Sequence, residues 1–402
     1  YNGAKIQKEV YYTIREKFKL PSQMACNVPR QVGATYKGLR TKLKQNEEAI
    51  RSGRTKKRYK GLDEPPKFVS RTCTLNYLRD YSFTKDQKVS VITLDGRIKV
   101  NYQGYSKHLE MIQAGVAKIG GAKIWYSKPS KTYYLLVSME VEVPELEPSD
   151  IKRVIGVDVG QRFIAVAADT RNKTQFFSGK QVRHKASRYV KARKSLQRKG
   201  TRSATRKLVS LSGRERRFIA DTNHCIAKLV VTPGTLIGLE NITHIRERTK
   251  PGAKRKGKKA SKKQRRANRN KAKWSFAELH GFIDYKAVLS GSLAVKVDAH
   301  YTSQACPCCG HTSKENRLNK GLTFVCQSCG YTLHADLIGA RNIALRVLLS
   351  RQEWESTGRF SAVLDASSVE AKAERLQRYP ELRWTIDAIP NLNVATPQST
   401  AE

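Results

Sequence analysis

Acidic residues are scarce in this chain. Its 402 residues carry 34 Asp and Glu against 77 Lys and Arg, a formal net charge of +43. An excess of one sign on this scale repels itself in any compact state, so a polyanion is needed to neutralise it, and nucleic acid is the leading partner. Long apolar runs are also missing. No stretch of about 18 apolar residues is present to cross a bilayer, which weakens an anionic membrane as the alternative. No secretory signal is read at the start. Tyr1 stands where an initiator methionine would, so further sequence is expected ahead of it. Cysteine is limited to eight residues, and four of them fall in two C-x-x-C pairs. In an intracellular setting that usage reads as metal binding rather than as a disulfide framework, and a reducing cytoplasm fits best.

The length exceeds the roughly 100–200 residues of one domain and predicts two to four packed units. Hydrophobic residues at 39% can supply their cores. The positive charge is concentrated in two runs. Lys191 to Arg217 holds 11 Lys or Arg and one acid, Glu215, and offers Lys191, Arg193, Lys194, Arg198 and Lys199 as phosphate contacts. Arg246 to Lys273 holds 15 and one acid, Glu247. Its stretch KPGAKRKGKKASKKQRRANRNKAK is too rich in Gly and Lys to build a core. It reads as a loop that meets phosphate through Lys254, Arg255, Lys258, Lys259, Arg265 and Arg266. A charge run is ordinarily a solvated face, but the near absence of acids favours the phosphate reading. Residues 351–402 carry 6 Lys or Arg against 8 Asp or Glu, leaving +45 on the first 350. This tail is expected to stand outside the nucleic-acid surface.

Before residue 150 a helical pattern gives way to strands. EVYYTIREKF places Val10, Ile14 and Phe18 on one helical face, and TYKGLRTKLKQNEEAI reads as a second helix. KVSVITLDGRIKVNY alternates Val89, Val91 and Thr93 with Ile98, Val100 and Tyr102 across an Asp95-Gly96 turn, a hairpin signature. GGAKIWYSKPSKTYYLLVSMEVEVP repeats the idea, and Pro144 with Pro148 closes a unit expected to be a small barrel.

Three acids then stand at element ends. RVIGVDVGQRFIAVAADT is an apolar strand, a Gly160 turn and a second strand, with Asp158 at the lip of the first. TLIGLENITHI repeats the situation with Glu240. In HADLIGARNIAL, Asp336 heads a helix whose Leu337, Ala340, Ala344 and Val347 form an apolar stripe. A turn-forming Asp and an acid complementing a helix dipole are the bland readings. A carboxylate at the edge of a buried strand is nevertheless expensive unless a cation neutralises it. Three such acids in a chain built for phosphates suggest a divalent-metal site: oxygen ligands suit Mg²⁺, and a pair of ions can hydrolyse a phosphodiester.

Between the second and third acids lies the most specific local motif. Cys306-x2-Cys309, sixteen residues, and Cys326-x2-Cys329 match the spacing of a four-cysteine zinc ribbon. Four thiolates leave no open position for water, so one structural Zn²⁺ is expected. Cys308 is surplus, and His311 and His334 are weaker substitute ligands.

GVDVG, GLEN, YTSQACPCCG, CQSCG and HADLIGARNIAL occur in the order seen in the TnpB family of insertion-sequence nucleases, and the chain also resembles the related compact type V CRISPR effectors. The resemblance covers roughly 153–350, including KWSFAELHGFIDYKA; before it, only the helix-then-strands layout is similar. It implies an α+β multidomain protein: a helical recognition region over 1–70 (truncated at its N-terminus), a wedge-like β-barrel over 71–150, and a RuvC-like nuclease domain of RNase H fold over 151–303 and 334–350. A zinc ribbon that binds target nucleic acid is implied at 304–333, and residues 351–402 form a tail. It implies Asp158, Glu240 and Asp336 as catalytic ligands of two Mg²⁺, and Cys306, Cys309, Cys326 and Cys329 as ligands of one Zn²⁺. The implied function is RNA-guided cleavage of double-stranded DNA beside a short protein-read motif, in a prokaryotic cytoplasm and at the nucleoid. Ile338 departs from the family, which often carries Asn two residues after the last acid, whereas Asn342 fits it. Two alternatives are an RNA-guided DNA-binding repressor without cleavage and a zinc-ribbon nucleic-acid-binding protein without catalysis.

Overall fold

Asn2 starts the first helix, its side-chain oxygen accepting the Ala4 N–H at 3.0 Å. The computed structural model describes residues 2–53, 55–69, 72–128, 130–242, 275–361 and 369–384. The chain divides into two units, Tyr1–Glu142 and Val143–Glu402. In the first, α1 (Gly3–Phe18) lies against α2 (Ser22–Arg51), and Arg30 Nε donates to Gln7 Oε1 at 3.1 Å. The helix expected at 35–50 is the second half of α2, which also carries Pro29 in its interior.

Strands β1 (Thr72–Leu75), β5 (Ala117–Ser127) and β6 (Thr132–Val141) form one three-stranded sheet, and β2 (Tyr81–Phe83), β3 (Lys88–Thr93) and β4 (Gly96–Asn101) another. Short helix α3 (Ser106–Gln113) connects β4 to β5. Leu75, Tyr81, Val89, Val91 and Ala122 give the two sheets one shared core. Among the described residues no strand ladder joins the sheets into a closed barrel. In the β3–β4 hairpin Thr93 pairs with Gly96, so the turn residues are Leu94 and Asp95, one position earlier than the sequence pattern suggests. Thr93 moves the turn because its hydroxyl bonds the Gly96 carbonyl at 2.7 Å and accepts the Asp95 N–H at 3.3 Å.

The second unit is built on a five-stranded sheet in the order β11-β10-β7-β8-β9. β7 (Arg153–Val159), β8 (Phe163–Asp169) and β9 (Thr174–Ser178) run antiparallel, while β10 (Thr235–Glu240) and β11 (Leu293–Val297) run parallel to β7. Helices α4 (Lys180–Lys199), α5 (Arg202–Leu211) and α6 (Arg214–Val230) connect β9 to β10, and α7 (Phe276–Leu289) precedes β11. Side chains alternate across a strand. Ile155, Val157, Ile237 and Leu239 therefore meet α6 and α7 on one face. Val154, Leu236, Val295 and Val297 meet α8 (Ala335–Thr357) on the other. A small sheet of β12 (Arg317–Leu318), β13 (Thr323–Val325) and β14 (Thr332–His334) precedes α8.

Helix α8 runs through residue 350, where the tail was expected to begin, and ends at Gly358 in the left-handed conformation. Trp354, Leu382 and Trp384 are buried in the α8-side core. Among the described residues no helix is long and apolar enough to cross a membrane.

Candidate active site and metal centre

Gly156-Val157-Asp158 in β7 and Gly238-Leu239-Glu240 in β10 share one design. Period-2 alternation puts each glycine and its acid on the same face. Gly156 pairs with Gly238 across the parallel ladder, which brings Glu240 level with Asp158 one step beyond Val157 and Leu239. α8 crosses these glycines so closely that a β-carbon at Gly156 would overlap the Ala340 carbonyl and the Ala344 N–H, and one at Gly238 would lie 2.8 Å from Ile343 Cγ2. The start of α8 follows suit, since a β-carbon at Gly339 would lie 3.0 Å from Asp158 Cγ. Asp336 sits one turn before Gly339. Its N–H is capped by His334 Nδ1 at 3.2 Å, and the His334 ring packs edge-on against Phe163 and Phe176 at 5.4 Å each.

The three acids thus share one electrostatic neighbourhood. Burial pushes the Asp158 carboxyl well above the usual carboxylate range, and the negative charges of Glu240 and Asp336 add to the shift. Arg317 of the ribbon and a backbone hydrogen bond at Val159 act in the opposite sense. Such a site favours a cation over three bare charges. Two residues outside the acid set hold it in shape. The hydroxyl of buried Thr302 lies 3.3 Å from both Glu240 Oε1 and the Ala299 carbonyl and shares its one proton between them. Asn342, two turns along α8 from Asp336, donates to the Thr302 carbonyl at 2.7 Å and to the Ala305 carbonyl at 2.9 Å.

The four cysteines come from two matching knuckles. Gly310 N donates to Cys306 O at 2.9 Å and Gly330 N to Cys326 O at 3.0 Å, while Cys306 N and Cys326 N donate to the His311 and Tyr331 carbonyls at 2.9 Å. Cys306 Sγ stands 3.7 Å from Cys329 Sγ, and Cys309 Sγ 3.5 Å from Cys326 Sγ. Those separations are close to the edges of a tetrahedron of sulfurs about 2.3 Å from a central Zn²⁺. Among the described residues this is the group of potential ligands whose donor atoms all fall within 4.8 Å of one another, and it includes neither Cys308, His311 nor His334. Burial pushes the Cys306 and Cys309 thiols up. Cys326 is also raised by burial, but the N–H groups of Cys329 and Ser328 and the neighbouring thiols bring it down to about 7.

On α4, Lys191, Lys194, Arg198 and Lys199 are exposed. Arg193 is half-buried and paired with Glu215, which ties α4 to α6 and commits its charge within the fold. Lys254, Arg255, Lys258, Lys259, Arg265 and Arg266 lie outside the described residues. The sequence reading singled out neither Thr302 nor Arg317. The repeated Gly-x-acid pattern was the available signal for Gly156 and Gly238, whereas nothing in the sixteen residues between the cysteine pairs marks Arg317.

With the sheet, the carboxylate cluster and the cysteine knuckles described, the chain can be set beside known proteins. The family model "Probable transposase" matches residues 136–244, which contain Asp158 and Glu240. The "Cas12f1-like, TNB domain" matches residues 276–343, which contain the cysteines and Asp336. The CRISPR-associated endodeoxyribonuclease Cas12f1 of Sulfoacidibacillus thermotolerans is 24% identical over 59% of this chain and 56% of its own length. The putative RNA-guided DNA endonuclease InsQ of Escherichia coli K12 is 40% identical over 23% of each chain. The chain spans about half the length of the first of these relatives and less of the second. A Cas12f1 solved with sgRNA and target DNA is similar over 85% of this chain and 79% of its own, at 16% identity and a TM-score of 0.48. Over these regions the chain is similar to TnpB-like and Cas12f proteins.

Proposed function

We propose that this protein is an RNA-guided DNA endonuclease whose RuvC-like site, on an RNase H-type sheet, cuts target DNA beside a short protein-read motif. The observation that carries the reading is the meeting of Asp158, Glu240 and Asp336 from three separate elements, with Asp158 strained electrostatically by the other two. Their oxygens suit a pair of Mg²⁺ ions, which when bound supply an activated water and stabilise the leaving oxygen. The chain does the rest. Thr302 orients Glu240, and Asn342 fixes the backbone that carries Thr302. Arg317 adds a positive charge near Asp158, suited to a phosphate. The exposed cations of α4 suit the backbone of a nucleic acid, and a net +43 exceeds what one short duplex footprint requires. A structured guide RNA and a guide–target heteroduplex held through its backbone would use that charge. Cys306, Cys309, Cys326 and Cys329 would hold one structural Zn²⁺.

The test is cleavage of two plasmids by the RNA-bound protein with two exchanged guide segments. The cut should move with the guide and require a divalent cation. Asp158→Ala, Glu240→Ala or Asp336→Ala should each reduce cutting by roughly a thousandfold or more, as loss of a metal ligand does, while DNA binding persists. A cut that stays put when the guide is exchanged, or that survives in any of the three variants, rejects this reading. Metal analysis checks the second centre: Cys326→Ser should lose zinc and Cys308→Ser should keep it. The presence of all three acids favours a cutting enzyme over a binding-only repressor.

A further inference from the structure

The C-terminal segment closes a ring of contacts around the cysteine knuckles. Trp384 N donates to the carbonyl of Pro307, inside the first knuckle, at 2.7 Å. Gly310, at the end of the same knuckle with φ +80°, lies so close to the Pro380 carbonyl that any β-carbon there would overlap it. The Trp384 ring, 4% exposed, faces the guanidinium of Arg341 at 5.0 Å from its centroid. Arg341 Nη1 in turn donates to the hydroxyl of Tyr331. The Tyr331 carbonyl accepts the N–H of Cys326 at 2.9 Å, which brings the path into the second knuckle. A separate bond from Trp384 Nε1 to Asn172 Oδ1, 3.1 Å, ties the indole to the turn between β8 and β9. One route therefore links both cysteine pairs through Trp384 and Arg341 and anchors them to the nuclease sheet.

We propose that Trp384 is a positioning residue for the metal centre: by latching the two knuckles together through Arg341 it slows loss of the ion, and ion retention and docking of the segment Tyr379–Trp384 are coupled. The inference rests on the cysteine set holding its Zn²⁺ and not on DNA cleavage. Release of a four-thiolate ion proceeds by loss of thiolates one after another and is faster when one cysteine pair can part from the other. A contact spanning both pairs opposes that parting, and outer partners of this kind typically change metal affinity by about 10–100-fold. Coupling is reciprocal, so loss of the ion must weaken docking of the segment to the same degree. Arg341 supports the assignment. Its Nε is buried with no hydrogen-bond partner among the described residues, a poor arrangement unless the rest of the side chain is needed as a hub.

The experiment follows zinc transfer from the RNA-bound full chain to excess chelator. Trp384→Ala should release zinc roughly 10-fold faster than the parent, in the range of outer-partner effects. Trp384→Phe, which keeps an aromatic ring over Arg341 and loses the bond to Asn172, should stay close to the parent. The backbone bond to Pro307 survives in both. Equal release by Trp384→Ala and the parent overturns the latch. Should Trp384→Ala fail to fold, the unaltered protein decides: trypsin should cut after Arg378 or Arg383 slowly with zinc bound and rapidly once it is removed. A cutting rate indifferent to zinc overturns the coupling. A chain that binds no zinc sinks both the metal assignment and the latch, whereas one that keeps zinc but cuts no DNA sinks only the proposed function.

Discussion

On the face covered by α8, β7 and β10 present Gly156 and Gly238; one residue further along, on the face covered by α6 and α7, the same strands present Val157 and Leu239. A large apolar side chain at either glycine would bury surface worth about 1.5–3 kcal/mol. It would also hold α8 away from the sheet. The α8 side gives up side-chain burial so that the helix backbone comes within reach of the strands, and that approach carries Asp336 to Asp158 and Glu240. The opposite side fills its space largely with aliphatic residues. One sheet thus separates the work of holding the fold from the work of building the site.

The difference is most directly broken at the glycines. Gly156→Ala places a methyl against the Ala340 carbonyl and Ala344 N–H, backbone atoms that cannot swing aside. Overpacking of this kind costs about 1–3 kcal/mol or more. At about 2–4 °C per kcal/mol for a unit of this size, melting should fall by up to roughly 10 °C. Cleavage should fall further than stability alone explains, because α8 retreats and takes Asp336 with it. The measurement is cleavage rate at a temperature where circular dichroism shows the variant still folded. Parent-like cutting there would separate the glycine from the site.

Leu239→Ala sharpens the contrast from the other side. Leu239 is fully buried between β10 and the α6–α7 layer, and its removal should destabilise by about 2–5 kcal/mol. Glu240 is its direct neighbour but faces away from the lost contact. Below its lowered melting point this variant should therefore cut within a few-fold of the parent, as activity assays beside thermal melts would show. Loss of cutting in a folded Leu239→Ala protein would mean that the two faces are not independent.

The same division explains what could be read from the residues. The cysteine set was legible because both knuckles are local, each closed by hydrogen bonds over four or five residues. Asp158, Glu240 and Asp336 were legible as acids standing where apolar elements end. Thr302 and Arg317 were not, because their importance depends on which carboxylate they face in space. The glycines showed their spacing but not their purpose, since nothing in β7 announces that α8 will arrive about 190 residues later. The C-terminal segment was the least legible. Trp384 meets Asn172 across 212 residues, and its other partners lie in the ribbon and in α8, so no periodicity near residue 384 could report them. In the β3–β4 hairpin a single threonine hydroxyl was enough to shift the turn by one residue.

The smallest expected effect tests a buried histidine on the packing face. His280, in the second turn of α7, is 4% exposed, and its Nε2 has no hydrogen-bond partner among the described residues. Burial, with a further push from the charge of Lys296 on β11, lowers its pKa to about 4. In the unfolded chain a histidine titrates near about 6.5. Between those values the unfolded state binds more protons, so stability rises with pH across this window. The contribution is fully present above about 6.5 and is lost as pH falls toward 4. Its ceiling is about 3 kcal/mol, at 1.36 kcal/mol for each unit of difference. Melting of the parent protein should drop by roughly 5 °C between pH 7 and pH 5 from this source, and His280→Leu should remove that part of the slope. Cutting at pH 7.5 should change little, because His280 lies across the sheet from the acids. Identical pH slopes in the two proteins would show that the buried imidazole is not what opposes protonation of this face, and the packing side would then have to be credited with tolerating a charge that its aliphatic residues give no means to hold.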